Sequence, residues 1–123
     1  MANILIVDDA EIIRISIRKH IENLGHTVIS TAENGYEAIV EYKKHSPDLV
    51  LMDISMPEVE GIKNGIEALE EIISIDKNAQ VVMVTSHGEQ RLVMEAISKG
   101  SKGYILKPVT KDKFENILEK LEL

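Results

Sequence analysis

Cysteine is absent from the 123 residues, which excludes disulfides, thiolate metal sites and cysteine nucleophiles. Aromatic residues are scarce. Tryptophan is missing, and Phe114 with three tyrosines makes up only 3% of the chain, too little for a platform on which bases could stack. No apolar run approaches the length of a membrane span, and Met1 to Val7 lacks the basic segment and long apolar core of a secretory leader. A cytoplasmic location without a membrane partner is therefore expected. Basic residues number 14 against 21 acidic ones, a formal charge of −7 that favours solubility and argues against a nucleic-acid partner. No glycine-rich loop of the dinucleotide or P-loop type is present, so nucleotide binding is unsupported.

What is present is a regular alternation. Short apolar runs occur at Ile4–Val7, Val28–Ile29, Leu49–Met52, Val81–Val84 and Tyr104–Leu106. Three of them are continuously apolar, as strands covered on both faces should be. Between them the apolar residues fall at helical spacing: Ile13, Ile17, Ile21 and Leu24 before Gly25, and Ala38, Ile39 and Tyr42 before Ser46-Pro47. Ile66, Leu69 and Ile73 follow, then Val93, Ala96 and Ile97 before Gly100, and finally Phe114, Ile117, Leu118 and Leu121 after a Thr110 N-cap. Five strands alternating with five helices predict an α/β fold, a doubly wound parallel sheet with helices on both faces. They use the whole chain, so residues 1–123 are expected to form a single domain.

The acidic residues fall where such a fold binds ligands, beyond the carboxyl ends of the strands. Asp8 and Asp9 follow the first run and Asp53 follows the third. If those strands are neighbours, the carboxylates converge, and each pair at ~4 Å would repel by about 4 kcal/mol at an effective dielectric near 20. A hard divalent ion such as Mg2+ suits an all-oxygen cluster, and Lys107 at the end of the fifth run offers a second cation. Thr85, closing the fourth run, adds a hydroxyl. These parts suit phosphoryl transfer to a carboxylate, which needs no base because the ionised carboxylate is already a nucleophile. Each residue also has a plainer reading: Asp9 as a cap for the first helix, Asp53 as a turn cap, Thr85 as an ordinary strand end and Lys107 as a solvated turn residue. Their joint placement at one end of different strands favours the functional reading.

The motifs Ile4-Leu5-Ile6-Val7-Asp8-Asp9, Asp48-Leu49-Val50-Leu51-Met52-Asp53-Ile54-Ser55-Met56-Pro57, Val84-Thr85-Ser86 and Lys107-Pro108 resemble those of response-regulator receiver domains. The resemblance runs from Asn3 to the C-terminus and looks closest to the stand-alone chemotaxis type. It implies a flavodoxin-like strand order of 2-1-3-4-5. It implies a two-component switch in which Asp53 accepts phosphate from a sensor histidine kinase, with self-phosphorylating and self-dephosphorylating activity only. Asp8 and Asp9 would hold Mg2+, Asp9 directly, helped by Asp53 and the carbonyl of Ser55. Lys107 would pair with the phosphoryl oxygens through a cis Lys107-Pro108 peptide. Thr85 would swing in, and Tyr104 would turn inward behind it; its plainer reading is a half-buried strand residue. The fourth helix, fifth strand and fifth helix would present the surface for a downstream effector protein.

Ser55 and His87 lie two residues beyond Asp53 and Thr85, positions that in the family tune hydrolysis of the phosphoryl group by water. His87 could orient water or pair with phosphate, or be an ordinary exposed loop histidine. His20, His26 and His45 show no ligand spacing. The family pattern breaks once. Glu60-Gly61-Ile62-Lys63 looks like a duplicate of Asn64-Gly65-Ile66-Glu67, and its paired glycines predict a longer loop beside Asp53 rather than an extra helical turn. Such a loop is expected to alter access to the phosphoryl group or to the partner surface.

Three other readings remain in view. A magnesium-dependent aspartyl-phosphate hydrolase would place a second aspartate two residues after the nucleophile, where this chain has Ser55. A receiver fragment cut from a longer regulator would read the same way, and an unphosphorylated binding module is disfavoured by intact Asp8, Asp9, Asp53, Thr85 and Lys107.

Overall fold

The computed structural model describes residues 1–86 and 90–123. Parallel strands β1 (Asn3–Val7), β2 (Thr27–Ala32), β3 (Leu49–Met52), β4 (Val81–Thr85) and β5 (Gly103–Leu106) form one sheet in the order β2-β1-β3-β4-β5. Helices α1 (Glu11–Asn23), α2 (Gly35–His45), α3 (Gly65–Ile75), α4 (Gln90–Ser98) and α5 (Lys111–Lys120) connect and follow them.

Strand periodicity sorts the core. Leu5, Val7, Val50, Met52, Val81 and Met83 face α2, α3 and α4, while Ile4, Ile6, Leu49, Leu51, Val82 and Val84 face α1 and α5. The central strands are buried on both faces, which is why they read as unbroken apolar runs. The edge strand β2 is longer than its apolar pair Val28-Ile29 suggests. Ser30, Thr31 and Ala32 pair with Leu5, Ile6 and Val7 after a register shift at Ile4/Leu5. Ile97 departs from the expected helix stripe: Val93 and Ala96 are buried, but Ile97 is exposed together with Met94.

Helix boundaries follow local chemistry. Asn34 and Asn64 cap α2 and α3 by accepting the backbone N–H groups of Glu37 and Glu67, and Thr110 caps α5 by accepting that of Lys113. Glu37 and Glu67 reach back to the N–H groups of Glu33 and Lys63, the residues just before each cap, so each helix start is closed from both sides. Ser46, at φ 44, ends α2 in the left-handed region.

The extra segment before α3 is a loop, as its glycines predict. Val59 and Ile62 exchange both backbone hydrogen bonds, at 3.2 and 3.0 Å, around a two-residue turn. Glu60 (φ 51) and Gly61 (φ 79) occupy that turn, and positive φ at both central residues matches the twist of a tight hairpin.

Candidate functional site

Parallel pairing brings the C-terminal strand ends to one edge. Val7 pairs with Met52, so the next residue on each strand, Asp8 and Asp53, emerges side by side. The Asp53 N–H donates to the Val7 carbonyl at 2.9 Å, and the Asp8 N–H donates to the Ala32 carbonyl at 3.1 Å. Carboxylate oxygens of Asp8, Asp9 and Asp53 lie within 4.8 Å of one another. Asp8 and Asp53 are buried, at 1% and 6% exposure, whereas Asp9 is exposed.

Lys107 arrives from the end of β5. Its ammonium donates to Asp8 Oδ2 at 2.7 Å and stands 3.6 Å from Asp53 Oδ2. That contact, with its side chain only 16% exposed, sets aside the solvated-turn reading. The Lys107 N–H donates to the Thr85 carbonyl at 2.9 Å, joining the ends of β4 and β5, and the Lys107-Pro108 peptide is cis. Thr85 is fully buried. Asp9 does not cap α1: the N-cap is Ala10, without a side-chain cap bond, and the Ala10 N–H donates instead to Asp8 Oδ1 at 2.9 Å.

The electrostatics leave an unbalanced negative charge. Burial, reinforced by the Asp8 charge, pushes the Asp53 carboxyl up to about 6 despite the opposing Lys107 ammonium and the Ile54 N–H. Among the described residues one ammonium faces three carboxylates, so a further cation would relieve the cluster. The donors are all hard oxygens, and the set fits Mg2+.

Ser55 is exposed on the loop after Asp53. His87 lies outside the described residues. Tyr104 is 45% exposed, more open than a half-buried strand residue. It lines a surface groove of about 420 Å³ with Leu106, Ile117, Lys113 and Lys120. The remaining histidines have ordinary roles: His20 packs near Phe114, His26 accepts the Ala2 N–H, and His45 sits 3.3 Å from Glu41.

The sequence does not mark out Arg14 or Gly35, and it offers Gly65 only as a loop glycine. Arg14 donates to the Asp8 carbonyl at 2.6 Å and lies 3.7 Å from Glu33, bracing the loop after β1. Gly65, first in α3, lies so close to the end of β3 that a Cβ there would fall 1.9 Å from the Asp53 carbonyl oxygen. Gly35 plays the same part for α2 against Ile62. The repeated Asn-Gly-x-Glu pattern at 34–37 and 64–67 was the available signal.

Comparison with known proteins agrees with this geometry. The chemotaxis protein CheY of Bacillus subtilis is 44% identical over 117 residues, covering 95% of this chain and 94% of that protein. The chemotaxis protein CheY of Thermotoga maritima is 42% identical over 118 residues, covering 96% and 95%. A chain of the CheX–CheY–BeF3–Mg complex from Borrelia burgdorferi superposes with a TM-score of 0.91 at 34% identity, covering 98% of this chain and 89% of that one. The model of the response regulator receiver domain matches residues 4–119, and the chain belongs to that family of two-component phosphorylation switches.

Proposed function

We propose that residues 1–123 act as one receiver switch of the chemotaxis type, with Asp53 accepting a phosphoryl group from a phosphohistidine on a sensor kinase. The observation that carries this reading is the cluster itself: oxygens of Asp8, Asp9 and Asp53 within 4.8 Å of one another, with Lys107 Nζ 3.6 Å from Asp53. Asp8 is already engaged by Lys107 and the Ala10 N–H, so Asp9 and Asp53 would offer the freer carboxylates to magnesium, and the family resemblance implies the Ser55 carbonyl as a further ligand. Bound there, Mg2+ would neutralise charge on the phosphoryl oxygens and favour the ionised form of Asp53.

An Asp53 carboxylate oxygen forms the new P–O bond as the P–N bond of the phosphohistidine breaks. The bonding pair stays on the imidazole nitrogen, which then takes a proton from water. Lys107 swings from Asp8 to the phosphoryl oxygens, and the Thr85 hydroxyl donates to another. Only contacts that differ between the two states can shift their populations, so Thr85 and Lys107 carry the signal and Tyr104 follows Thr85 inward. The exposed side chain of Ser55 leaves room for the water that ends the signal.

Output goes to a protein partner. Met94, Ile97, Tyr104 and Leu106 expose 38–60% of their surfaces on α4 and β5, and lysines 113 and 120 rim the adjoining groove. An acidic, amphipathic segment suits that surface. Ser55, in the position where a hydrolase needs an acid, favours a switch over turnover of small phosphoesters.

Incubation with a small phosphodonor and Mg2+, read by intact mass, tests the assignment. A phosphate-sized increment that disappears in Asp53→Asn supports it. An unmodified wild-type chain beside a receiver that does become phosphorylated would defeat it.

A further inference from the structure

The hairpin at 59–62 does more than lengthen the loop. Ile62 turns back against the core formed with α2 and α3 and is half-buried there. Its seat is the Cα of Gly35, the first residue of α2, where a Cβ would come within 2.6 Å of Ile62 Cγ2 and 3.3 Å of the Asn64 carbonyl oxygen. Asn64 is the cap of α3, and its neighbour Gly65 abuts the Asp53 carbonyl while donating its N–H to the Ile54 carbonyl at 2.8 Å. The loop from Asp53 to Gly65 is thus pinned at both ends and also by buried Met56. Between Met56 and Asn64, Ile62 is the apolar contact that ties the extra residues to another element.

We propose that Ile62 is a positioning residue: seated on Gly35, it holds the β3–α3 loop and the backbone beside Asp53 in the form that favours magnesium binding at the acidic cluster. The proposal rests on the magnesium-dependent reading of Asp8, Asp9 and Asp53 given above. A chain of close contacts supports it, running from α2 through Ile62 and Asn64 to Gly65 and the backbone of the phosphoacceptor. Packed contacts of this kind pass displacement on rather than absorbing it, because a close-packed interior has little slack. Releasing Ile62 lets the loop sample open forms in which the backbone beside Asp53 is displaced, and the apparent metal affinity falls by the fraction of time spent open.

Titration of the full chain with magnesium alone, together with amide exchange over residues 54–62 in the metal-free protein, tests this. Ile62→Ala should weaken magnesium binding about fivefold and speed exchange at Val59 and Ile62 by a similar factor. Ile62→Val keeps the Cγ2 branch that meets Gly35 and should stay near wild type. Gly35→Ala should resemble Ile62→Ala, and adding Ile62→Ala to it should cost nothing further, since the seat is already lost. Wild-type affinity and exchange in Ile62→Ala would overturn the proposal. So would a lower unfolding midpoint with magnesium affinity unchanged, or losses from the two substitutions that multiply. Failure of the wild-type chain itself to bind magnesium would defeat the site reading, and the positioning role with it.

Discussion

Lys107 Nζ sits 2.7 Å from Asp8 Oδ2 but 3.6 Å from Asp53 Oδ2, so the ammonium at the end of β5 is bonded to Asp8 and only close to Asp53. In the metal-free protein it serves mainly as the counter-ion of a carboxylate that is 1% exposed. Lys107→Ala would strand that charge, a change that costs roughly 3–5 kcal/mol when one partner of a buried pair is lost. Magnesium then takes over the neutralisation that Lys107 provided. Lys107→Ala is therefore expected to melt well below wild type in chelator, to bind magnesium more tightly, and to recover much of its midpoint when the ion is added. Phosphorylation should be slow even at saturating metal. Thermal melts with and without magnesium test this; equal midpoint gains in both proteins would contradict it.

Asp53 should make the metal-free fold less stable as pH rises. Its carboxyl is pushed up to about 6 from an ordinary value of 3.8, mainly by burial and then by Asp8. Between those values the unfolded chain has lost the proton while the folded chain keeps it. The stabilisation is complete below about pH 4 and is lost as pH climbs through about 6. The shift corresponds to about 3 kcal/mol as an upper bound, at 1.4 kcal/mol per unit. Asp53→Asn removes this dependence, so in chelator it should be more stable than wild type at pH 7.5 and nearly equal to it at pH 4. Saturating magnesium should close the gap at pH 7.5. Denaturant titrations at the two pH values measure it.

Gly65 and Gly61 lie four residues apart and should differ several-fold in their response to alanine. At Gly65 a Cβ would lie 1.9 Å from the Asp53 carbonyl oxygen and 2.9 Å from its carbon, both backbone atoms that cannot rotate aside. Gly65→Ala should cost more than about 3 kcal/mol and displace the Asp53 backbone. At Gly61 a Cβ would meet nothing within 4 Å, and only its φ of 79° resists substitution. Gly61→Ala should cost about 1 kcal/mol, the ordinary left-handed penalty. Comparable losses in the two proteins would show that the close approach at Gly65 is not what the fold requires.

Much of this was legible from residue order because a parallel sheet converts sequence position into place. Apolar runs end where strands end, and an acid directly after such a run must emerge at the carboxyl edge; Asp8 and Asp53 needed nothing more. Which partner Lys107 chooses was not legible, since several ångströms of flexible side chain separate its backbone from both acids. The polar half of β2 was hidden because an edge strand needs no apolar run, and Ser30 and Thr31 are held by pairing with β1. The hairpin was foreseen as a loop from its glycines, but its shape depends on Glu60 adopting φ 51, which side chains with a Cβ seldom do. The seat of Ile62 on Gly35 joins residues far apart in sequence, and no local pattern announces it.

The scarcity of aromatic residues offers a clean probe of the switch. Tyr42 is buried at 5% exposure, donates to Asp76 Oδ2 at 2.9 Å, and has its hydroxyl pushed up to about 12 by burial and by Asp76. Tyr36 and Tyr104 are 41% and 45% exposed. Nitration of the unphosphorylated chain, read by peptide mass, should therefore modify Tyr36 and Tyr104 and spare Tyr42. If phosphorylation draws Thr85 toward Asp53 and Tyr104 turns in behind it, a phosphodonor with magnesium should protect Tyr104 severalfold and leave Tyr36 unchanged. Tyr36 lies on α2, outside the proposed movement, and so serves as the internal control. Thr85→Ala should still accept phosphate but lose the protection, because the contact that biases the two states has gone. Protection of Tyr104 that persists in Thr85→Ala would place the coupling elsewhere, and equal nitration with and without phosphate would remove Tyr104 from the switch.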